Sequence, residues 1–223
     1  MLGARASTAQ QTGVAARPSG ASSPQGKSGP SFDCRKATTA YERLVCRTPE
    51  LAIADRALAT AYRNALATHP LPTYVRERQR LWLPSHGHCA SGDQSVRRCL
   101  VSVYERIQEL KRIPTAVYSD AEDGAFSYYA GHAVFELFAP TVNGQIPFAI
   151  WGGARILRSA NAYTECHGTG MLDGVSGEVI AYEGDGPLSI RLGQNRTRLI
   201  LDQDLPCMGF ARILAGEYPA IRR

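Results

Sequence analysis

Four cysteines set into a stretch of helical periodicity, Cys34 to Leu110, constrain this chain more than any other feature. Inside that stretch Leu51, Ala54, Leu58, Ala61, Tyr62, Ala65 and Leu66 recur at three- and four-residue steps, which puts them on one helix face. Thr48 is placed to cap that helix, Pro49 suits its first position, Glu50 sits at the positive end of its dipole, and His69-Pro70-Leu71-Pro72 stops it. A following helix is expected from Thr73, with Val75, Gln79, Trp82 and Leu83 on one side. Because Pro84 would remove a hydrogen bond and crowd the preceding turn, it is predicted to end near Leu83. The last helix carries Leu100, Val103, Tyr104, Ile107 and Leu110 and closes at Ile113-Pro114.

A helical module of this size buries little surface, so covalent staples are expected to help hold it. Six cysteines in all, widely spaced, fit an oxidising compartment. Helix succession brings Cys46, Cys89 and Cys99 to one end of the bundle. That favours Cys46 with Cys89 and Cys34 with Cys99, one of the three pairings open to four cysteines.

After Pro114 the period changes to alternation. In Phe126 to Phe138, residues Val134, Glu136 and Phe138 face away from Ala133, Phe135 and Leu137. Asn143-Gly144 marks a turn before a strand from Ile146 to Trp151. Further short strands are expected at 154–157, 162–166, 178–182, 188–192, 198–201 and 209–214, which together make a small antiparallel β barrel or sandwich stapled by Cys166 and Cys207. The fold class is therefore α+β: a leader at 1–30, a disulfide-stapled helical bundle at 31–112, a linker at 113–125 and a small β domain at 126–223.

Charge divides along the same line. Residues 31–112 hold 14 Lys or Arg against 8 Asp or Glu, whereas 113–223 hold 8 against 12. The acidic half argues against a nucleic-acid partner, and no apolar run is long enough to span a membrane. Residues 1–30 are rich in Ala, Ser, Gly, Pro and Gln and hold no aromatic residue, so they are expected to be disordered. They also lack the apolar stretch of a secretory signal, so either the true start lies upstream, which the cysteines favour, or the protein is not exported.

Chemistry-bearing motifs are few. His86-Gly87-His88-Cys89 comes nearest to a metal constellation, but with Cys89 oxidised the two histidines are expected on an exposed turn and no metal is assigned. Gly174-Val175-Ser176-Gly177 lacks the glycine and the leading apolar strand of a nucleophile elbow and reads as a hairpin turn. Asp120, Glu122 and Asp123 have no further ligands at calcium-loop spacing. No nucleophile–base pair emerges, so no enzyme and no cofactor are assigned. Trp82 is read as a core residue that could also anchor a partner, and Arg76, Arg78 and Arg80 beside it as a wet helix face.

The succession Phe32-Asp33-Cys34, Glu42 to Cys46, Pro49-Glu50-Leu51, Asp55, Leu58, Tyr62, Gln79, Trp82, Cys89, Cys99-Leu100, Tyr104, Arg106-Ile107 and Leu110 resembles the lysozyme inhibitor LprI N-terminal domain family of bacterial envelope proteins. The likeness spans residues 32–111. This chain has His86 where members usually carry an arginine, so the role of that arginine is not carried over. The ending from Cys207 to Tyr218 is similar to the tail of small envelope β domains of no specified family.

The resemblance implies a periplasmic or secreted, non-enzymatic protein that binds lysozyme, or else an envelope assembly module that binds another protein or a glycan. C-type lysozymes are strongly cationic, so the acidic half is the expected contact surface. With Trp82, the candidate binding residues are Asp173, Glu178, Glu183 and Asp185.

Overall fold

The computed structural model describes residues 29–121, 125–127, 131–155, 163–184, 186–207 and 212–221. The expected disordered leader lies almost wholly outside them. After a 3-10 turn at Cys34–Lys36 come four helices: α1 (Ala40–Arg47), α2 (Pro49–Thr68), α3 (Pro72–Gly87) and α4 (Ser95–Lys111). Helix α1 starts on a reciprocal cap in which the Glu42 N–H donates to the Thr39 hydroxyl and the Glu42 carboxylate accepts from the Thr39 N–H. Pro49 and Pro72 each stand in the first turn of their helices, where a missing N–H costs nothing. Thr48 caps α2 by position, without a side-chain hydrogen bond.

The apolar faces pack largely as the periodicity requires. Leu51, Ala54, Leu58, Ala61 and Ala65 of α2 are buried, as are Val103, Ile107 and Leu110 of α4. Tyr104, expected on that face, is half exposed; the buried stripe passes through Arg106 instead. Helix α3 does not stop at Leu83. It continues through Pro84 to Gly87 and folds His86 into the interior, stacked on Trp82 at 4.1 Å. The expectation of two histidines on an exposed turn therefore holds for His88 and fails for His86, which is 4% exposed.

The expected crossed pairing of the first four cysteines is also corrected. The bonds are local: Cys34–Cys46 and Cys89–Cys99, with Cα atoms 5.8 and 5.1 Å apart. Asp33 caps the first 3-10 turn and folds Cys34 back against the end of α1. A second 3-10 turn, His88–Ala90, does the same for Cys89 at the start of α4. Cys166–Cys207 forms as expected.

The rest of the described chain is β-structure. Strands β1 (Ala116–Ser119), β2 (Ala133–Leu137), β3 (Ile146–Arg155), β4 (Tyr163–Leu172) and β5 (Val179–Gly184) make an antiparallel sheet in sequence order. A smaller sheet is ordered β10 (Gly216–Pro219), β7 (Arg198–Leu201), β6 (Ile190–Leu192), and β8 (Leu205–Pro206) pairs with β9 (Arg212–Ile213). The sheets do not close into a barrel. Phe135, Phe148 and Ile150 of the large sheet meet Ile190, Leu199, Leu201, Leu205, Ile213 and Tyr218 across one core, which makes the arrangement a sandwich. Strand β1 was not anticipated; it is a four-residue strand just after Pro114 that pairs with β2 throughout.

The alternation in β2 divides two cores. Ala133, Phe135 and Leu137 enter the sandwich, while Val134 joins Val117 and Trp151 in a second core with Leu58, Val75, Val103 and Ile107 from the helices. The large sheet is thus the middle of three layers, and all of β2 is buried.

Candidate functional site

Sheet register determines where the helices leave an opening. One row across the outer face of the large sheet runs Val117, Glu136, Ala149, Thr169, Glu183; the next runs Ser119, Val134, Trp151, His167. Val117, Glu136, Val134 and Trp151 lie under the helices and are buried, whereas Thr169, Glu183 and His167 are exposed. The helical layer therefore ends over β3, and the step it makes with β4 and β5 encloses a cavity of about 280 Å³. That is near the lower end of the range for small-molecule sites.

At the buried side of the step a carboxylate is held in the interior. Glu136, 8% exposed, accepts from His69 Nε2 at 3.0 Å and from the Tyr74 hydroxyl at 2.9 Å. The Leu71 N–H donates to His69 Nδ1 at 2.9 Å, so the imidazole proton sits on Nε2 and points at Glu136. Burial works against ionisation of Glu136, but the His69 hydrogen bond, the charge of Arg78 and the Tyr74 hydroxyl outweigh it and hold the carboxyl below its ordinary range. Burial, opposed by the nearby Arg78, pushes the Tyr74 phenol well above its ordinary range.

Arginines form the helical wall. Arg78 stands over the rings of Tyr74 and Trp151, with its guanidinium carbon 5.7 and 5.6 Å from their centroids. Its polar partners among the described residues are distant: the Tyr74 hydroxyl and the Glu109 carboxylate, both at 3.4 Å. Arg106, with a side chain 2% exposed, donates to Gln79 at 3.0 Å and to the same Glu109 oxygen at 2.7 Å. Desolvation and the positive charge of Arg78 lower its affinity for a proton. At the mouth the Arg112 guanidinium carbon lies over the Phe138 ring, 4.0 Å from its centroid. Chemically the groove offers cationic donors and aromatic faces on one wall and the hydroxyl of Thr169, the imidazole of His167 and the carboxylate of Glu183 on its floor.

Of the residues singled out from the sequence, Glu183 lies in this groove. Trp82 does not: it is half buried between the helices, stacked on His86. Asp173 and Glu178 flank the turn between β4 and β5, where the Asp173 carboxylate accepts the Val175 and Ser176 N–H groups and is held below its ordinary pKa by them. Asp185 lies outside the described residues. Sequence reasoning missed Glu136, His69, Arg106 and Arg112. Two of these left a signal: Arg106 occurs at helical spacing among buried positions of α4, and Glu136 is a lone acid in an apolar strand. Among the described residues no group of three or more His, Cys, Asp or Glu side chains is placed to hold a metal, and no helix is long and apolar enough to cross a membrane.

No protein-family model matches the chain, and neither does any solved structure. Among curated proteins, lipoprotein LprI of Mycobacterium bovis and of Mycobacterium tuberculosis is 35% identical to it over 77 residues. That is 34% of this chain and 38% of theirs, so the chain spans well under half the length of the relatives it matches. Over about a third of its length, then, this chain is similar to a mycobacterial lipoprotein.

Proposed function

We propose that this is an exported, non-enzymatic protein of the bacterial envelope that acts by binding, with lysozyme as its first candidate partner. The observation that supports it is the engagement of all six cysteines in disulfides, in a chain similar to a lipoprotein. Disulfides form and persist in oxidising compartments outside the cytosol. The contact surface is the open edge of the large sheet, where Glu178 and Glu183 are exposed and complement a cationic partner.

The experiment is cell-wall lysis by C-type and by goose-type lysozyme with increasing amounts of the oxidised chain. Dose-dependent inhibition that is weakened by added salt and by the double substitution Glu178→Lys/Glu183→Lys supports the reading. Undiminished lysis by both enzymes would reject inhibition.

A second reading, an envelope assembly module that recognises another protein or a glycan, is favoured by the basic balance of residues 31–112, 14 Lys or Arg against 8 Asp or Glu. It predicts retention on envelope material without any protection from lysis.

A further inference from the structure

We propose that the groove between α3, α4 and the exposed end of the large sheet binds a small carboxylate-bearing molecule, with Arg78 and Arg112 as the groups that take the anion. This differs from the lysozyme reading: it concerns the guanidinium wall of the groove and not the exposed acidic edge of the sheet, although Glu183 belongs to both.

Three observations carry it. Arg78 is placed before any ligand arrives, its guanidinium carbon lying over the Tyr74 and Trp151 rings at 5.7 and 5.6 Å. Its N–H groups are poorly used: the two polar contacts among the described residues are at 3.4 Å, against about 2.8 Å for a good charge-assisted bond.

The three arginines of the lining face three carboxylates, Glu109, Glu136 and Glu183, but these are unevenly shared. One Glu109 oxygen serves both Arg78 and Arg106, and the second carboxylate on that side, Glu136, is already engaged by His69 and Tyr74. Arg112, over the Phe138 ring at the mouth, has no ion-pair partner among the described residues. Loosely bonded Arg78 and unpaired Arg112 are therefore the guanidiniums on which a planar anion can accept bidentately.

The groove also limits what that anion belongs to. About 280 Å³ accommodates a group the size of a dipeptide or a monosaccharide. Glu109 and Glu183 line the same space and would repel a phosphate dianion more than a carboxylate. Thr169 and Glu183 on the floor suit the hydroxyls or amides of the ligand's body. A peptide C-terminus and a sugar acid share this chemistry, and titration separates them.

The full-length oxidised chain is titrated with N-acetyl-alanyl-alanine and with glucuronate while the Trp151 indole N–H is followed by NMR. The chain has two tryptophans, and Trp82→Phe assigns the signal. The peptide amide and glucose are the uncharged controls. Saturable shifts are expected with at least one carboxylate, with affinity about tenfold or more above its control, and Arg78→Gln and Arg112→Gln should each weaken binding. The carboxylate that saturates identifies the source.

No saturation by either carboxylate at about 50 mM, or equal shifts from the uncharged controls, would overturn the proposal. That comparison is made on the unsubstituted chain, so it decides even where a variant fails to fold. Lysozyme inhibition with no carboxylate binding would defeat this inference alone, and the reverse would defeat the lysozyme reading alone.

Discussion

Replacing Glu136 with alanine is expected to be among the most damaging single changes in this protein. Its carboxylate joins the middle layer to the helices through His69 and Tyr74, and all three residues are buried. Truncation leaves an imidazole N–H and a phenol O–H in the interior without an acceptor. Each orphaned donor costs about 1–3 kcal/mol, so the two together cost about 2–6 kcal/mol, and about 4 kcal/mol is expected.

In urea, with an m-value of about 2 kcal/mol/M, that moves the unfolding midpoint down by about 2 M. Removing the network, Glu136→Leu with His69→Leu and Tyr74→Phe, should recover part of the loss, because the imidazole and phenol donors go with their acceptor; only the Leu71 N–H and the long Arg78 contact lose a partner. A midpoint shift worth under about 1 kcal/mol for the alanine variant, or a triple variant no more stable than the single, would refute the reasoning. The pH dependence provides a further check. Glu136 has a depressed folded pKa, so its contribution is fully present above the ordinary glutamate value and is lost as pH falls through the lower folded one. Glu136→Gln should flatten that acid limb.

Three further outcomes are expected. Burial lowers His86 to about 4, so the unfolded chain takes up a proton that the folded one refuses. Folding stability should fall by up to about 3 kcal/mol as pH drops from about 6.5 toward 4, and His86→Phe should remove that slope in denaturant titrations run across the window. Replacing Cys166 and Cys207 together with alanine opens a loop of 41 residues and should cost about 4 kcal/mol, read as a drop in thermal midpoint. Gly170→Ala should disrupt the β4–β5 pairing, because a methyl there would meet the Ala181 carbonyl and the Phe148 ring; hydrogen exchange of β5 amides should accelerate while α2 stays protected.

The helices and most strands were legible because each is specified by a local period. The buried faces of α2 and α4, the division of β2 into two faces and the Cys166–Cys207 staple follow from side-chain order along the chain. What sequence could not supply were juxtapositions. The pairing of the first four cysteines depends on two 3-10 turns that fold each cysteine back on its neighbour, a geometry that no spacing rule encodes. Pro84 signals a helix stop that would leave His86 outside, whereas packing against Trp82 and Tyr41 carries the helix through it. The groove was out of reach for the same reason: Glu136 lies 67 residues from His69 and 62 from Tyr74, and its mouth exists only because the helical layer ends over β3.

The measurement that tests the central claim most directly is a calorimetric titration of the oxidised full-length chain with C-type lysozyme at low and at physiological salt. A submicromolar dissociation constant is expected, about −8 kcal/mol or tighter, weakening with salt and with charge reversal at Glu178 and Glu183. No measurable binding at either salt concentration would contradict it.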